Sequence, residues 1–162
     1  MQTTSVKLYS LEYSEAKTYL AAALFLAGNM IRLGGPTWLP IYFFTLVGAY
    51  KYGWRAGLLT ALASPVANAL LFGMPAAAAL PAIVLKSVLL AGAAGYAAAR
   101  FRRASLALLA AVVLFYQAAG TLGEWALTGS FHAAVQDFRI GLPGMLLQIF
   151  GGWAFINFII RK

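Results

Sequence analysis

From residue 16 onward the chain is a succession of apolar stretches, and several reach the roughly 20 residues that a helix needs to cross the hydrocarbon core of a bilayer. This feature narrows the fold more than any other. In lipid a segment must satisfy its own backbone N–H and C=O groups, so spans of this kind are helices. Six can be marked, at 16–33, 36–50, 53–73, 77–100, 104–127 and 142–161. The second is short, with Pro36 and Pro40 near its start, where a helix tolerates proline. It must be tilted or sit where the bilayer is thin. Pro65 lies inside the third and is expected to kink it and free a carbonyl; Pro81 and Pro143 fall in the first turns of the fourth and sixth. The expectation is an all-α integral membrane protein, a single domain over residues 1–162 built as one bundle of six transmembrane helices. Composition agrees, with 62% hydrophobic and 10% charged residues, against about 25% charged in a typical soluble domain.

Charge then gives an orientation. With an even number of spans both termini lie on one side. That side would hold Lys7, Lys17, Lys51, Arg55, Arg100, Arg102, Arg103, Arg161 and Lys162, nine of the twelve basic residues. The other side would hold Arg32 and Arg139, with Lys86 inside a span. The positive-inside rule places both termini in the cytoplasm. The same distribution accounts for the net charge of +8 without nucleic acid, because the basic residues sit at the ends of apolar segments. Residues 1–14 are polar and mixed, unlike a signal peptide, so the first span is expected to be retained. There is no cysteine, hence no thiolate nucleophile, thiolate metal site or disulfide.

Polar residues inside apolar spans are the candidates for function, since a carboxylate there is unfavourable by roughly 2.5–3.5 kcal/mol on insertion scales. On the fifth span Gln117, Thr121 and Glu124 fall at i, i+4 and i+7 and share a helix face; Gly120 and Gly123 beside them leave room for a close approach. At the same expected depth lie Asn29, Asn68, Lys86 and Gln148, all in the outer half of the membrane under this topology, whereas the inner half holds little that is polar besides Asn157. Arg32 at the outer end of the first span and the aromatic residues Trp38, Tyr116 and Trp125 complete the candidate binding set. Each has a simpler explanation. Lys86 can snorkel or form a structural pair with Glu124, the amides can join helices, and the tryptophans, Trp153 among them, can belong to an interfacial belt. His132 is isolated. Residues 128–141 form the one long outer connection, in which Phe131, Val135 and Phe138 recur at helical spacing, as in a short interfacial helix, either an anchor or a lid.

The stretches Leu39-Pro40-Ile41-Tyr42, Gly48-Ala49-Tyr50-Lys51-Tyr52-Gly53-Trp54-Arg55-Ala56-Gly57, Ser64-Pro65-Val66-Ala67-Asn68 and Phe72-Gly73-Met74-Pro75 resemble those of substrate-binding S components of energy-coupling factor (ECF) transporters. Chain length, six spans, internal termini and a short second helix are similar as well. The resemblance implies a subunit of a prokaryotic cell membrane that captures a vitamin or related micronutrient on its outer face. It would then topple in the membrane when docked on a membrane T component driven by two cytoplasmic ABC ATPases. It also assigns docking to an Ala-x-x-x-Ala motif on the first helix, which Ala23 and Ala27 match in spacing. No cofactor is expected. The chain has no Gly-x-x-x-x-Gly-Lys-Ser/Thr segment, so ATP would be handled by the partners.

Two other readings compete. An intramembrane metalloprotease needs several ligands, and there is one histidine. A serine enzyme needs a base, and Ser64 and Ser87 have none evident; no enzyme is expected. The second is a self-sufficient small transporter or channel. A channel or proton relay needs polar groups through the whole thickness, and these gather in one half. A transporter that rocks internally places its site near the midplane, often with inverted repeats, and no convincing repeat is present. An acid, a base, amides and aromatic rings in that half suit a small heteroaromatic ligand.

Overall fold

A computed structural model describes residues 17–18 and 35–159. Lys17 and Thr18 are helical; the remainder of the expected first span, including Ala23, Ala27, Asn29 and Arg32, lies outside the described residues. Those described form an all-helical structure with no strand. After a four-residue turn, Gly35–Trp38, the helices are α1 (Pro40–Tyr52), α2 (Trp54–Phe72), α3 (Leu80–Phe101, led in by a 3-10 turn at Ala77–Ala79), α4 (Leu106–Thr128) and α5 (Phe131–Ile140). The last helix, α6, starts as Leu142–Leu146 and continues through π-helical Leu147–Gly151, α-helical Gly152–Ala154 and π-helical Phe155–Ile159.

Helices α2, α3 with its lead-in turn, and α4 are each long and apolar enough to cross a membrane, and a fourth crossing is possible if α5 and α6, bent by 54° at their junction, are one broken span. Their outer faces are apolar. Leu70 is 81% exposed and Leu71 75%, with Leu59, Leu62, Leu114, Phe115, Leu122 and Phe150 also exposed, while Asn68, Lys86, Ser87, Gln117 and Gln148 are buried. Water-soluble domains place such groups the other way round. The arrangement is consistent with a membrane protein.

The expected span 36–50 is different in kind. It breaks at Leu39, whose backbone is left-handed (φ 48°), and Pro40 opens a new helix. A helix of 13 residues covers only about 20 Å, and α1 is not among the helices long enough to span. Nine of its residues, from Pro40 to Ala49, are buried. A helix that is apolar all round belongs inside a bundle, and α1 packs against α2, α3 and α6. Its shortness is that of a core element.

A single residue, Gly53, joins α1 to α2, at φ 88° and ψ 169°, where an L side chain would be strained. The two helices then touch through Gly57, where an added Cβ would collide with Ala49. At the same end Tyr50 Oη donates to Arg103 O (2.9 Å), and Asn157 Nδ2 donates to Ala104 O (3.1 Å), tying the ends of α1 and α6 to the α3–α4 connection. Lys51, Arg55, Arg100, Arg102 and Arg103 all gather at this basic end. At the opposite end Gly144, near the start of α6, lies against the backbone of Trp38, whose carbonyl carbon is 2.7 Å from where a Cβ would stand.

Two glycines on α3 make a controlled comparison. A Cβ at Gly95 would lie 2.5 Å from Trp54 Cβ and 2.9 Å from its Cα, while at Gly92 nothing lies within 4 Å. Gly95→Ala is therefore expected to lose about 1–3 kcal/mol through overpacking. Gly92→Ala is expected to gain about 0.5–1 kcal/mol from helix propensity. Thermal unfolding of the two variants in detergent measures the difference, and equal midpoints would contradict the packing described.

Candidate functional site

Most buried polar side chains of the bundle lie in the half that adjoins the α2–α3 and α4–α5 connections, while Thr60 and Asn157, which donate to backbone carbonyls, lie toward the other end. Along α3 they come first, as Lys86 and Ser87, and are followed by buried Leu90, Ala91, Ala94 and Ala97. Along α4, which runs the other way, buried Leu109, Val112 and Val113 precede Tyr116, Gln117, Thr121 and Glu124. On α6 Met145 and Gln148 come near the start. The other half is a core of aliphatic and small side chains, including Leu46, Ala49, Leu90, Ala94, Leu109 and Val113.

At the centre Lys86 Nζ lies 2.6 Å from Glu124 Oε2, with the lysine side chain 1% exposed and the glutamate 14%. Lys86 does not snorkel; its stem lies across Gly120, where a Cβ would stand 2.5 Å from Lys86 Cγ. One turn along, Gly123 gives the same room to Leu85, whose Cδ2 would be 2.5 Å from a Cβ. The approach that the two glycines allow is thus made by α3. Seven positions, two turns of helix, separate Gln117 from Glu124; the lysine stem lies at Gly120, between them, and its ammonium ends at Glu124.

Neutral polar groups extend this pair toward α6. Tyr116 Oη donates to Gln148 Oε1 at 3.0 Å, and Gln117 Nε2 lies 3.6 Å from Met145 Sδ as a donor to sulfur. Tyr42 of α1 packs its ring against that of Tyr116, with centroids 5.4 Å apart. Gln148 stands in the first π-helical stretch of α6 and is fully buried. π-Type turns are local departures from α-helix that recur at functional positions.

Among the described residues several buried polar atoms have no hydrogen-bond partner: Ser87 Oγ, Gln117 Oε1, Thr121 Oγ1, Gln148 Nε2 and, on α2, Asn68 Oδ1. Glu124 Oε2 joins them by the same measure, since its contact with Lys86 is close but not aligned as a hydrogen bond. The distance identifies the pair as an ion contact, and the missing alignment leaves the carboxylate able to accept from another donor. Folded proteins pair almost all such groups, and here the unpaired ones concentrate on α3, α4 and α6.

The expected site residues therefore divide. Lys86, Tyr116, Gln117, Thr121, Glu124 and Gln148 share the polar half, with Lys86 in contact with Glu124 and Tyr116 with Gln148. Asn68 is buried on α2 and donates through Nδ2 to Ser64 O (2.7 Å) and Ser64 Oγ (3.3 Å), within its own helix. Trp38 and Trp125 are 46% and 45% exposed. Trp125 makes an edge contact with Phe131 of α5 at 5.3 Å, which joins α4 to α5. On α5 itself Ala134 is buried and Val135 and Phe138 partly so, whereas Phe131 and His132 face outward. Ser87, Met145 and Tyr42 were not in the expected set. Met145 stands one turn before Gln148, a spacing that could have marked it; nothing in the uniformly apolar α1 distinguishes Tyr42. Among the described residues no group of His, Cys, Asp or Glu side chains could hold a metal ion.

No protein-family model matches the chain, and no curated protein and no solved structure matches it. The similarity to S components therefore rests on the residues quoted for it.

Removing one member of a buried ion pair strands the other, at a typical cost of about 3–5 kcal/mol, while replacing both is far milder. Lys86→Met and Glu124→Gln are each expected to lower stability by about that amount, and the double variant by clearly less than either. A double-mutant cycle on unfolding in detergent reads the coupling; simple additivity would mean that the pair does not act as a unit.

Proposed function

We propose that the chain is the substrate-binding membrane subunit, an S component, of an ECF-type importer. In this reading six helices cross a prokaryotic cell membrane, the short α1 enclosed within the bundle rather than facing lipid, with the basic end of the bundle and both termini in the cytoplasm. The polar half then faces outward and captures a vitamin or related small micronutrient. Docking on a T component runs through Ala23 and Ala27, and two cytoplasmic ATPases supply the energy. The chain hydrolyses nothing itself.

One observation carries most of this reading: among the described residues, buried polar groups with open hydrogen-bonding capacity occupy one half of the bundle, and the other half is largely apolar, its Thr60 and Asn157 bonded to backbone carbonyls. A continuous pore or proton relay requires polar groups across the whole thickness. A one-sided polar site above an apolar seal suits capture from that side, with release requiring movement of the whole body. The positive charges at the opposite end, Lys51, Arg55, Arg100, Arg102 and Arg103, agree with a cytoplasmic face there.

The purified chain, screened by mass spectrometry for small molecules that co-purify with it, is expected to yield a saturable ligand. Reconstituted alone in liposomes it should bind that ligand without moving it, and uptake should appear once T and ATPase subunits and ATP are added. Flux through the chain alone would instead establish a self-sufficient transporter.

A further inference from the structure

The basic end of the bundle carries more positive charge than the chain can match. Arg55, Arg100, Arg102 and Arg103 lie there and all are exposed. The whole chain has four acidic side chains. Glu124 contacts Lys86 in the opposite half, and Asp137 is on α5, which follows α4 at that opposite end. Glu12 and Glu15 lie outside the described residues. Even with both brought to the basic end, these arginines would outnumber them. Among the described residues none of the arginines there has a carboxylate within ion-pair distance. The positive-inside rule asks only that such charges sit near the ends of spans; it does not say which face of a helix they take.

Two of the four stand on the membrane-facing side of neighbouring helices. On α2, Arg55, Leu59, Leu62 and Val66 fall at i, i+4, i+7 and i+11 and share a face, and all are exposed. On α3, Gly92, Tyr96 and Arg100 recur every fourth residue and are exposed too. Trp54, pressed onto Gly95, sets the two stripes side by side, and its own side chain is half exposed. The helices are antiparallel, α2 starting and α3 ending at the basic end. Side chains lean toward the N-terminus of their own helix. Arg55 therefore leans out toward the end of the bundle, and Arg100, about 7.5 Å beyond Gly95 along the axis, leans back to meet it in depth. Arg55 Cζ is 5.8 Å from the centre of the Trp54 ring, in keeping with that lean and within cation–π range. Guanidinium groups suit phosphate oxygens, Trp and Tyr suit the level of the ester groups, and the leucine face runs on into the hydrocarbon. An acidic protein surface could meet the arginines but would make no use of the apolar stripe.

We infer that the membrane-facing side of the α2–α3 pair, at the basic end, is a binding site for an anionic phospholipid. Its phosphate is held between Arg55 and Arg100, its ester region meets Trp54 and Tyr96, and an acyl chain runs along Leu59, Leu62 and Val66. This site is separate from the polar half and independent of what that half binds.

Native mass spectrometry tests it. The full chain in a non-ionic detergent is equilibrated with equal amounts of phosphatidylglycerol and phosphatidylcholine of the same acyl chains, and the retained lipids are counted. The parent chain is expected to retain phosphatidylglycerol several-fold over phosphatidylcholine at a saturable site, and the preference to weaken as salt rises. The variant carrying Arg55→Gln and Arg100→Gln is expected to lose that preference. The variant carrying Arg102→Gln and Arg103→Gln removes the same charge from the same end and is expected to keep most of it, as is Arg139→Gln at the other end. If the Arg55/Arg100 variant does not fold, the two single variants are read, each expected to lose part of the preference. Inorganic phosphate at the lipid concentration is expected not to displace the lipid, because it has no acyl chain. The inference is overturned if the parent shows no preference, if the Arg102/Arg103 variant loses as much as the Arg55/Arg100 variant, or if inorganic phosphate displaces the lipid, which would mark a site for free anions. It is overturned as well if the Arg55/Arg100 variant, or both single variants, retain the lipid unchanged, which would leave an acidic protein surface as the counterpart of these arginines.

Discussion

A buried ion contact in an apolar bundle sets requirements that the surrounding structure has to meet. Contact between Lys86 and Glu124 offsets part of the cost of burying both, which favours one separation and one register of α3 and α4. Gly120 and Gly123 are part of that requirement: both positions lie where α3 side chains already fill the space that a Cβ would take. The nearby amides and hydroxyls follow from the same constraint. Once two charges are buried, neutral polar neighbours soften their surroundings, and some of those neighbours keep hydrogen-bonding capacity in reserve.

The rest of the bundle isolates this cluster. Helix α1 brings almost no polar chemistry, yet it is the most enclosed of the helices and fills the space between α2, α3 and α6. Its threonine keeps its hydroxyl within the helix: Thr45 Oγ1 donates to Ile41 O. Thr60 on α2 does the same with Ala56 O. Such back-bonding satisfies hydroxyls without asking anything of a neighbouring helix. The contrast with Ser87 and Thr121, whose hydroxyls are not satisfied in this way, separates polar residues that the fold has absorbed from those it has left available.

Much of this was legible in the sequence, and the misses have physical causes. The long helices could be read from uninterrupted apolar length, and their ends from Pro, Gly and basic residues. The i, i+4, i+7 spacing of Gln117, Thr121 and Glu124 identified the inward face of α4 correctly because in a membrane bundle the polar face is the buried one. Pairing between Lys86 and Glu124 could only be offered as an alternative, since it depends on the rotation of α3 about its axis, which a nearly uniform apolar segment does not encode. The break at Leu39 was not foreseen. A left-handed leucine violates local preference and is tolerated where tertiary packing holds it, here a backbone that sits tightly against Gly144. Trp38 and Trp125 were grouped with the site by depth and by the capacity of their rings to stack, and neither says which way a ring points.

The Gly53 junction has a mechanical consequence. One residue between two helices leaves no length of chain to act as a hinge, and the Gly57–Ala49 contact closes the remaining gap. Through Gly95 the start of α2 is also pressed onto α3. These three helices make a single stiff block, and rocking within it would tear close backbone contacts. Relative movement is left to the other side, where α5 meets α6 at a bend and α6 alternates between α and π winding. A π turn can rewind to α by shifting one residue along the helix, so the flexible wall of the polar cluster is the one that carries Gln148.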